Sequence, residues 1–374
     1  MITNKKIMMI STTDNMIWQF LLPHIQHLKE LGNEVECVCA KTGFWFDELK
    51  EKHGLLMHEI DFGRNPIKLK NFKCFKKLKQ LQKERKFDLV YCQQPVGGMM
   101  GRLIGKKFKL PVIYTAHGFH FFKGCPLVNK VVYKPVEKWL SKYTDILITI
   151  NGEDYQSALK MKAKKVFKIN GIGMTFKKYE DITETKEEIK ASLGLDKNDF
   201  VIVTVAEFIK RKNYDTMLKT IKELKDRSVN VKFLICGRGQ EESIIKNQIK
   251  DLDIENEVKI LGFRKDINRI LTASDVFMLA SFQEGLTLSV IESMSFGLPC
   301  VVSNVRGNRD LIVDGKGGFV VETKNCSQYA DKIEILKQDE NLRKVFGLFN
   351  KEESKKYSID AVKEELNEVY KWIS

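Results

Sequence analysis

Two glutamates, Glu284 and Glu292, stand eight positions apart in the stretch EGLTLSVIE, and nothing between them carries a charge. The wider run ASDVFMLASFQEGLTLSVIESMSFGLPCVVSN reads as a strand ending near Ala280, a loop holding Glu284 and Gly285, a helix carrying Glu292, a Gly-Pro turn and another strand. A nucleotide sugar would give both acids a purpose. Its ribose hydroxyls donate to an ionised Glu292, its diphosphate takes backbone N–H groups at the helix start around Leu286, Thr287 and Leu288, and Glu284 holds sugar hydroxyls. Gly285 lets the backbone come close. From spacing alone, a capping acid followed by an exposed helix acid is the alternative.

The same half supplies cations and tight turns. EFIKRKNYD places Lys210, Arg211 and Lys212 after the strand-like VIVTVA, where a phosphate should sit. Lys212 is the expected pyrophosphate ligand, with Arg211 sharing the role. A departing nucleoside diphosphate gains charge as its glycosidic bond breaks, so a fixed cation there favours the transition state over the ground state. A solvated basic triplet is the alternative. In ICGRGQ, Gly237 and Gly239 can keep a turn low over the nucleotide, although GxG without a third glycine is an incomplete fingerprint. In GFRKDI, Phe263 and Arg264 can pass beside the base, or form a turn with one core aromatic.

The first half offers a different set. In YTAHGFHFF, His117 directly follows a β-rich run and belongs on a loop at a sheet's carboxyl edge, where a neutral imidazole can hold a sugar hydroxyl or donate toward a reacting centre. A structural histidine is the alternative. Phe119, His120, Phe121 and Phe122 are expected to form an apolar acceptor surface, or else a satellite core under VVYKPVEKW. In STTDNMIWQF, Asp14 and Asn15 can cap or touch substrate, and Trp18 belongs to core or acceptor surface.

These residues need a scaffold, and its rhythm is legible. KIMMIST, EVECVCA, FDLVYCQ, LPVIYTAHG and TDILITIN are strand-like runs separated by segments such as QFLLPHIQHLKELG, a helix closing on Gly32. After a charged interval the rhythm restarts with VIVTVAEF, VKFLICGRG, VKILGF, VFMLAS and PCVVSN. This predicts an α/β chain of two doubly wound parallel sheets covered by helices. The expected units are 1–180, 181–355 and a C-terminal helix at 356–374, capped at Ser358 and apolar along Val362, Leu366, Val369, Tyr370 and Ile373. That helix finishes the second domain or crosses back to the first.

Composition bounds the rest. The 374 residues are 43% hydrophobic, and no run approaches a membrane span or a signal-peptide core, so a cytoplasmic protein is expected. The eight cysteines form no CxxC, and reduced, mostly buried thiols are expected. The net charge of +14 is uneven: residues 1–175 hold 30 Lys+Arg against 15 Asp+Glu, and the remainder 33 against 34. IKLKNFKCFKKLKQLQKERKFD carries nine cations from Lys68 to Lys86 against Glu84, with Phe72, Phe75, Leu78 and Leu81 at helical spacing. A helix packed by that stripe and basic on its outer face predicts peripheral, salt-sensitive contact with an anionic membrane. Nucleic acid would also answer the charge and is the reading from another class, set aside in favour of no nucleic-acid partner.

VKILGFRKDINRILTASDVFMLASFQEGLTLSVIESMSFGLPCVVSNVRGNRDLI, supported by ICGRG and YTAHGFHFF, resembles family 4 of the retaining glycosyltransferases, whose GT-B fold sets two Rossmann-like domains across a cleft. GFHFFKG looks like the capsular and exopolysaccharide branch. The resemblance implies a donor pair in Glu284, at the catalytic centre, and Glu292, on the ribose. It also implies Lys212 on phosphate, His117 in the active site, Gly285 to Leu288 around sugar and phosphate, and a C-terminal helix on the N-terminal domain. It implies no metal or other cofactor. Glu207 stands where many members have an arginine, and STTDNMIWQF replaces a glycine-rich first loop. The expected reaction is retaining transfer of a sugar from a UDP-sugar to a polyprenyl-diphosphate-linked glycan, by an enzyme peripheral to the inner face of the cell membrane. Transfer to a soluble acceptor and UDP-sugar 2-epimerisation on the same fold are the nearest alternatives.

Overall fold

Uninterrupted runs of Val, Ile, Leu and Met become strands buried on both faces, as parallel sheets sandwiched by helices require. The computed structural model describes residues 2–43, 45–63, 69–176 and 182–373. Two compact units divide the chain, Met1–Met174 with Ile359–Ser374, and Thr175–Ser358. The expected junction at 180/181, and Lys68 in the basic run, lie outside the described residues.

In the first unit the described strands are β1 (Lys6–Thr13), β2 (Glu34–Ala40), β3 (Leu56–Glu59), β4 (Leu89–Gln93), β5 (Val112–Ala116), β6 (Ile146–Thr149) and β7 (Lys165–Lys168). They form one parallel sheet in the order β3-β2-β1-β4-β5-β6-β7. In the second unit β8 (Val201–Val205), β9 (Lys232–Cys236), β10 (Val258–Gly262), β11 (Val276–Leu279), β12 (Cys300–Ser303) and β13 (Gly318–Val321) pair, all parallel, as β10-β9-β8-β11-β12-β13. The strands that the sequence reading passed over, β3, β7 and β13, all lie at sheet edges. An edge strand pairs on one side only, and LMHE and KVFK have no fully buried residue, so no apolar run announces them.

The helix Leu22–Glu30 continues helical turns that begin at Asp14 and ends at Gly32, whose φ of +84° suits glycine. The basic segment is helical over Leu69–Arg85. Its packed face is Cys74, Leu78 and Leu81, with Phe75 half-buried. Phe72 departs from the expected stripe: it is 64% exposed, with the Lys76 ammonium 5.1 Å from its ring. The helix Pro95–Phe108 lies close on the sheet through glycines; a methyl group on Gly101 would stand 2.5 Å from Cys92 Cβ.

The helix Ile359–Tyr370 belongs to the first unit. Val362, Leu366, Val369 and Tyr370 are buried, and the Tyr370 ring meets Tyr91 edge-on at 6.3 Å. Glu365 accepts from the Asn170 backbone N–H at 2.7 Å, and His27 Nε2 and Asn367 Oδ1 are 2.7 Å apart. None of the cysteines is in a disulfide, and all but Cys326 are buried. Among the described residues no helix is long and apolar enough to cross a membrane.

Candidate active site

Because every strand of the second sheet points the same way, the loops that follow β8, β9, β10, β11 and β12 share its carboxyl edge. The strand order reverses between β8 and β11, the position at which doubly wound sheets open a crevice for ligands. The two loops at that point carry the cations and the first acid. Lys210–Lys212 form a tight turn after β8, and Glu284 lies in the loop after β11. Lys212 Nζ donates to Glu284 Oε1 at 2.7 Å, and Arg211 donates to Oε2 at 2.8 Å and to the Gln283 carbonyl at 2.8 Å. Lys212 and Glu284 are both buried. Burial alone would raise the Glu284 carboxyl's pKa, but the charges of Lys212 and Arg211 outweigh it and hold the group below its ordinary value.

Two cations on one carboxylate leave an excess of positive charge, and a third lies close by. Arg306, buried in the loop after β12, donates from Nε to the Glu284 carbonyl at 3.0 Å. Sequence reasoning did not single out Arg306, although NVRGNRD directly follows the strand PCVVSN. The same loop braces the glutamate loop from below. Asn308 Oδ1 accepts from Thr287 Oγ1 at 2.7 Å, and a methyl group on Gly307 would meet the Gly285 carbonyl at 2.7 Å. Asn213, also unanticipated, donates to the Ala280 and Thr323 carbonyls at 2.9 and 3.0 Å and so ties three loops together. The helix Leu288–Ser295 starts after Thr287, with Gly285, Leu286 and Leu288 partly accessible. Glu292 is half-buried one turn along from Leu288, on the same side.

The remaining donor-side expectations change character. A methyl group on Gly237 would stand 1.9 Å from the Ala206 carbonyl and one on Gly239 2.5 Å from that of Phe208. These glycines let the loop after β9 press on the loop after β8. Arg264 is held bidentately by Asp266 at 2.8 and 2.6 Å, which fixes its side chain within its own turn. Phe263 is 60% exposed with the Arg238 guanidinium 4.6 Å from its ring, so it is no core aromatic.

In the first unit, His117 follows β5 and is half-buried. Its Nε2 lies 2.7 Å from Gln93 Oε1, which accepts the proton and leaves Nδ1 with the lone pair. Burial, helped by neighbouring His24, pushes its pKa down to about 4, so the ring is neutral near pH 7.

The expected aromatic acceptor surface is corrected. Phe119 and Phe121 are buried in the core and stack on each other at 4.8 Å, because Asp154 accepts the Phe119 N–H at 3.0 Å and draws the loop inward. Phe122 packs against the same core, and exposed His120 stacks on Tyr133 at 4.7 Å. Asp14 is corrected too. It is fully buried, and its carboxylate accepts from Thr42 and from the Phe46 N–H at 3.2 Å, which makes it a brace for the turn after β2 rather than an acceptor ligand. Asn15 is exposed, and half-buried Trp18 stacks on Trp45 at 3.7 Å.

Among the described residues no group of three or more His, Cys, Asp or Glu could hold a metal ion. Residues 185–353 match the family model "Glycosyl transferases group 1", and residues 6–151 match "Glycosyl transferase 4-like". The chain is 32% identical to EpsD of Bacillus subtilis, described as a glycosyltransferase, over 98% of this chain and 96% of that one. It is 31% identical to the Escherichia coli UDP-Gal:alpha-D-GlcNAc-diphosphoundecaprenol alpha-1,3-galactosyltransferase over 85% and 84% of the respective chains. Among solved structures, Anabaena HepE in complex with UDP and glucose superposes with a TM-score of 0.81 at 17% identity, covering 98% of this chain and 100% of that one. With identity above 30% along nearly the full length of both chains, the protein belongs to the family 4 glycosyltransferases of GT-B fold.

Proposed function

We propose that this enzyme moves a sugar from a UDP-sugar, with retention of anomeric configuration, to a hydroxyl of a glycan carried on a polyprenyl diphosphate during synthesis of a cell-surface polysaccharide. The observation that carries the reading is the cluster of buried Lys212 and partly exposed Arg211 on the buried Glu284 carboxylate at the second sheet's switch point. A carboxylate there fixes two cations in place before any ligand arrives, and fixed charge is what a departing diphosphate needs. The UDP named with HepE and the diphosphoundecaprenol named for the Escherichia coli relative support the donor and acceptor classes.

In this reading the second unit holds the donor. Glu292 accepts from the ribose hydroxyls, N–H groups at the start of the helix Leu288–Ser295 meet the diphosphate, and Glu284 has its second task on sugar hydroxyls. The bond between the anomeric carbon and the β-phosphate oxygen breaks, and Lys212 and Arg211 take up the growing phosphate charge. An acceptor hydroxyl forms its bond on the same face and passes its proton to the leaving phosphate oxygen. No enzyme carboxylate becomes a covalent nucleophile, in contrast to retaining sugar hydrolysis. The first unit serves the acceptor, with neutral His117 available to hold a hydroxyl. Its positive charge draws the anionic lipid diphosphate and brings the enzyme to a membrane surface.

The test is a mass-spectrometric screen of UDP-sugars against a panel of lipid-linked glycans, with the product's anomeric configuration read by NMR. Transfer to the lipid fraction with retained configuration is expected. Release of free sugar alone, inverted product, or an epimerised sugar formed without acceptor overturns the proposal.

A further inference from the structure

Residues 127–143, helical throughout with a π-type stretch at Asn129–Tyr133, have no role in the chemistry above. Leu127, Val131, Pro135 and Trp139 recur every four residues, and Val128, Val132 and Val136 form a second row beside them. Apart from the proline, the exposure of these large apolar side chains ranges from 39% to 75%. Lys130, Lys134, Lys138 and Lys142 make a third row at the same spacing, all exposed.

The ridge is fixed rather than frayed. Its one acid, Glu137, turns inward and is bound bidentately by buried Arg102 at 2.7 and 3.1 Å, and the Arg102 guanidinium in turn lies 4.0 Å from the Tyr114 ring. At its far end Tyr143 meets Trp139 edge-on at 5.5 Å, with the Lys106 ammonium 4.3 Å from the Tyr143 ring. A rigid apolar strip edged by lysines, ending in an aromatic pair and showing no exposed acid, is the composition of an interfacial helix. The basic helix Leu69–Arg85 does not match it, since Cys74, Phe75, Leu78 and Leu81 pack inward and Phe72 stands out from them.

The geometry points to the ridge at residues 127–142 as the surface by which this enzyme docks on an anionic lipid bilayer, Leu127, Val128, Val131 and Val132 entering the acyl boundary while the lysine row meets phosphate headgroups. This rests on the reading that the acceptor is membrane-borne. Charge selects the occupant. A bilayer carrying anionic lipid complements the row, whereas a second copy would set lysines against lysines.

The experiment is flotation of the full-length protein with vesicles of phosphatidylcholine alone and of phosphatidylcholine mixed with phosphatidylglycerol. Wild type is expected to float only with the mixed vesicles. Val131→Ser with Leu127→Ser should lower partitioning at least about tenfold, and Lys130→Gln, Lys134→Gln and Lys138→Gln about fivefold each. Circular dichroism and UDP binding by calorimetry should not change. A blue shift of tryptophan emission on vesicle addition should vanish in Trp139→Phe. If the ridge variants float as wild type while Lys73→Gln, Lys76→Gln and Lys77→Gln do not, the ridge assignment falls and membrane binding stands. If wild type floats with neither vesicle, or if light scattering shows a dimer that Val131→Ser dissociates, docking by this surface is overturned; transfer to lipid-linked glycans in the screen above then decides separately whether the acceptor reading survives.

Discussion

Lys212 and Glu284 depend on each other, and their separate removal should read out differently. Lys212→Ala takes away one of the two cations proposed for the leaving phosphate but leaves Arg211 on the carboxylate, so kcat should drop by about 10²–10³ with a smaller change in donor KM. Glu284→Gln leaves Lys212 buried without its anion, which costs about 3–5 kcal/mol of stability in urea unfolding as well as activity. Equal turnover in Lys212→Ala and wild type would remove the phosphate role. A second titration belongs at this scale. His24 is buried, donates from Nε2 to the Ile172 carbonyl at 2.6 Å, and has no partner at Nδ1; burial pushes its pKa down to about 4. The folded chain therefore binds fewer protons than the unfolded one between that value and the ordinary 6.5, and acid favours unfolding in this window. Lowering the pH from near 7 to about 5.5 should cost wild type about 1 kcal/mol more than His24→Gln in paired urea melts.

At the scale of elements, the helix Pro95–Phe108 shows how close packing sets what a position tolerates. An alanine normally stabilises a helix by about 1 kcal/mol relative to glycine. At Gly101 the added methyl would stand 2.5 Å from Cys92 Cβ and 2.8 Å from its sulfur, on a strand whose residues are all buried. Overpacking costs about 1–3 kcal/mol and exceeds the propensity gain, so Gly101→Ala should lower Tm while Gly43→Ala, with nothing within 4 Å, leaves it unchanged. A Tm raised by Gly101→Ala would show that the helix can lift from the sheet at little cost. Edge and centre explain what the sequence disclosed of these elements. Central strands such as VIVTV are apolar on both faces and declare themselves, whereas KVFK, paired on one side, looks like loop.

For the whole molecule, the chain's end is part of the first unit's core. Deleting the residues after Ser358 removes the buried Val362, Leu366, Val369 and Tyr370, each contributing about 1.5–3 kcal/mol, together comparable to a domain's entire stability. The truncated protein should lose the first unit's melting transition in calorimetry and become a protease substrate there, while the second unit still melts cooperatively and binds UDP. Two unchanged transitions would mean that the helix only rests on its neighbours.

Periodicity and motif order in the sequence were enough for two doubly wound sheets, for the loops that bear Lys212 and Glu284, for the helix that bears Glu292, and for the glycosyltransferase family, because strand burial and edge loops are written locally. Pairings across distant loops were not. Arg306 on the Glu284 carbonyl, Asn213 across three loops, and Asp14 turned onto Thr42 depend on which strands lie side by side. The sequence also could not sort apolar residues into core and surface. Asp154 pulls Phe119 inward, and Arg102 anchors Glu137 so that Val131 and Trp139 stay outside; burial is a property of neighbours that only the folded chain brings together.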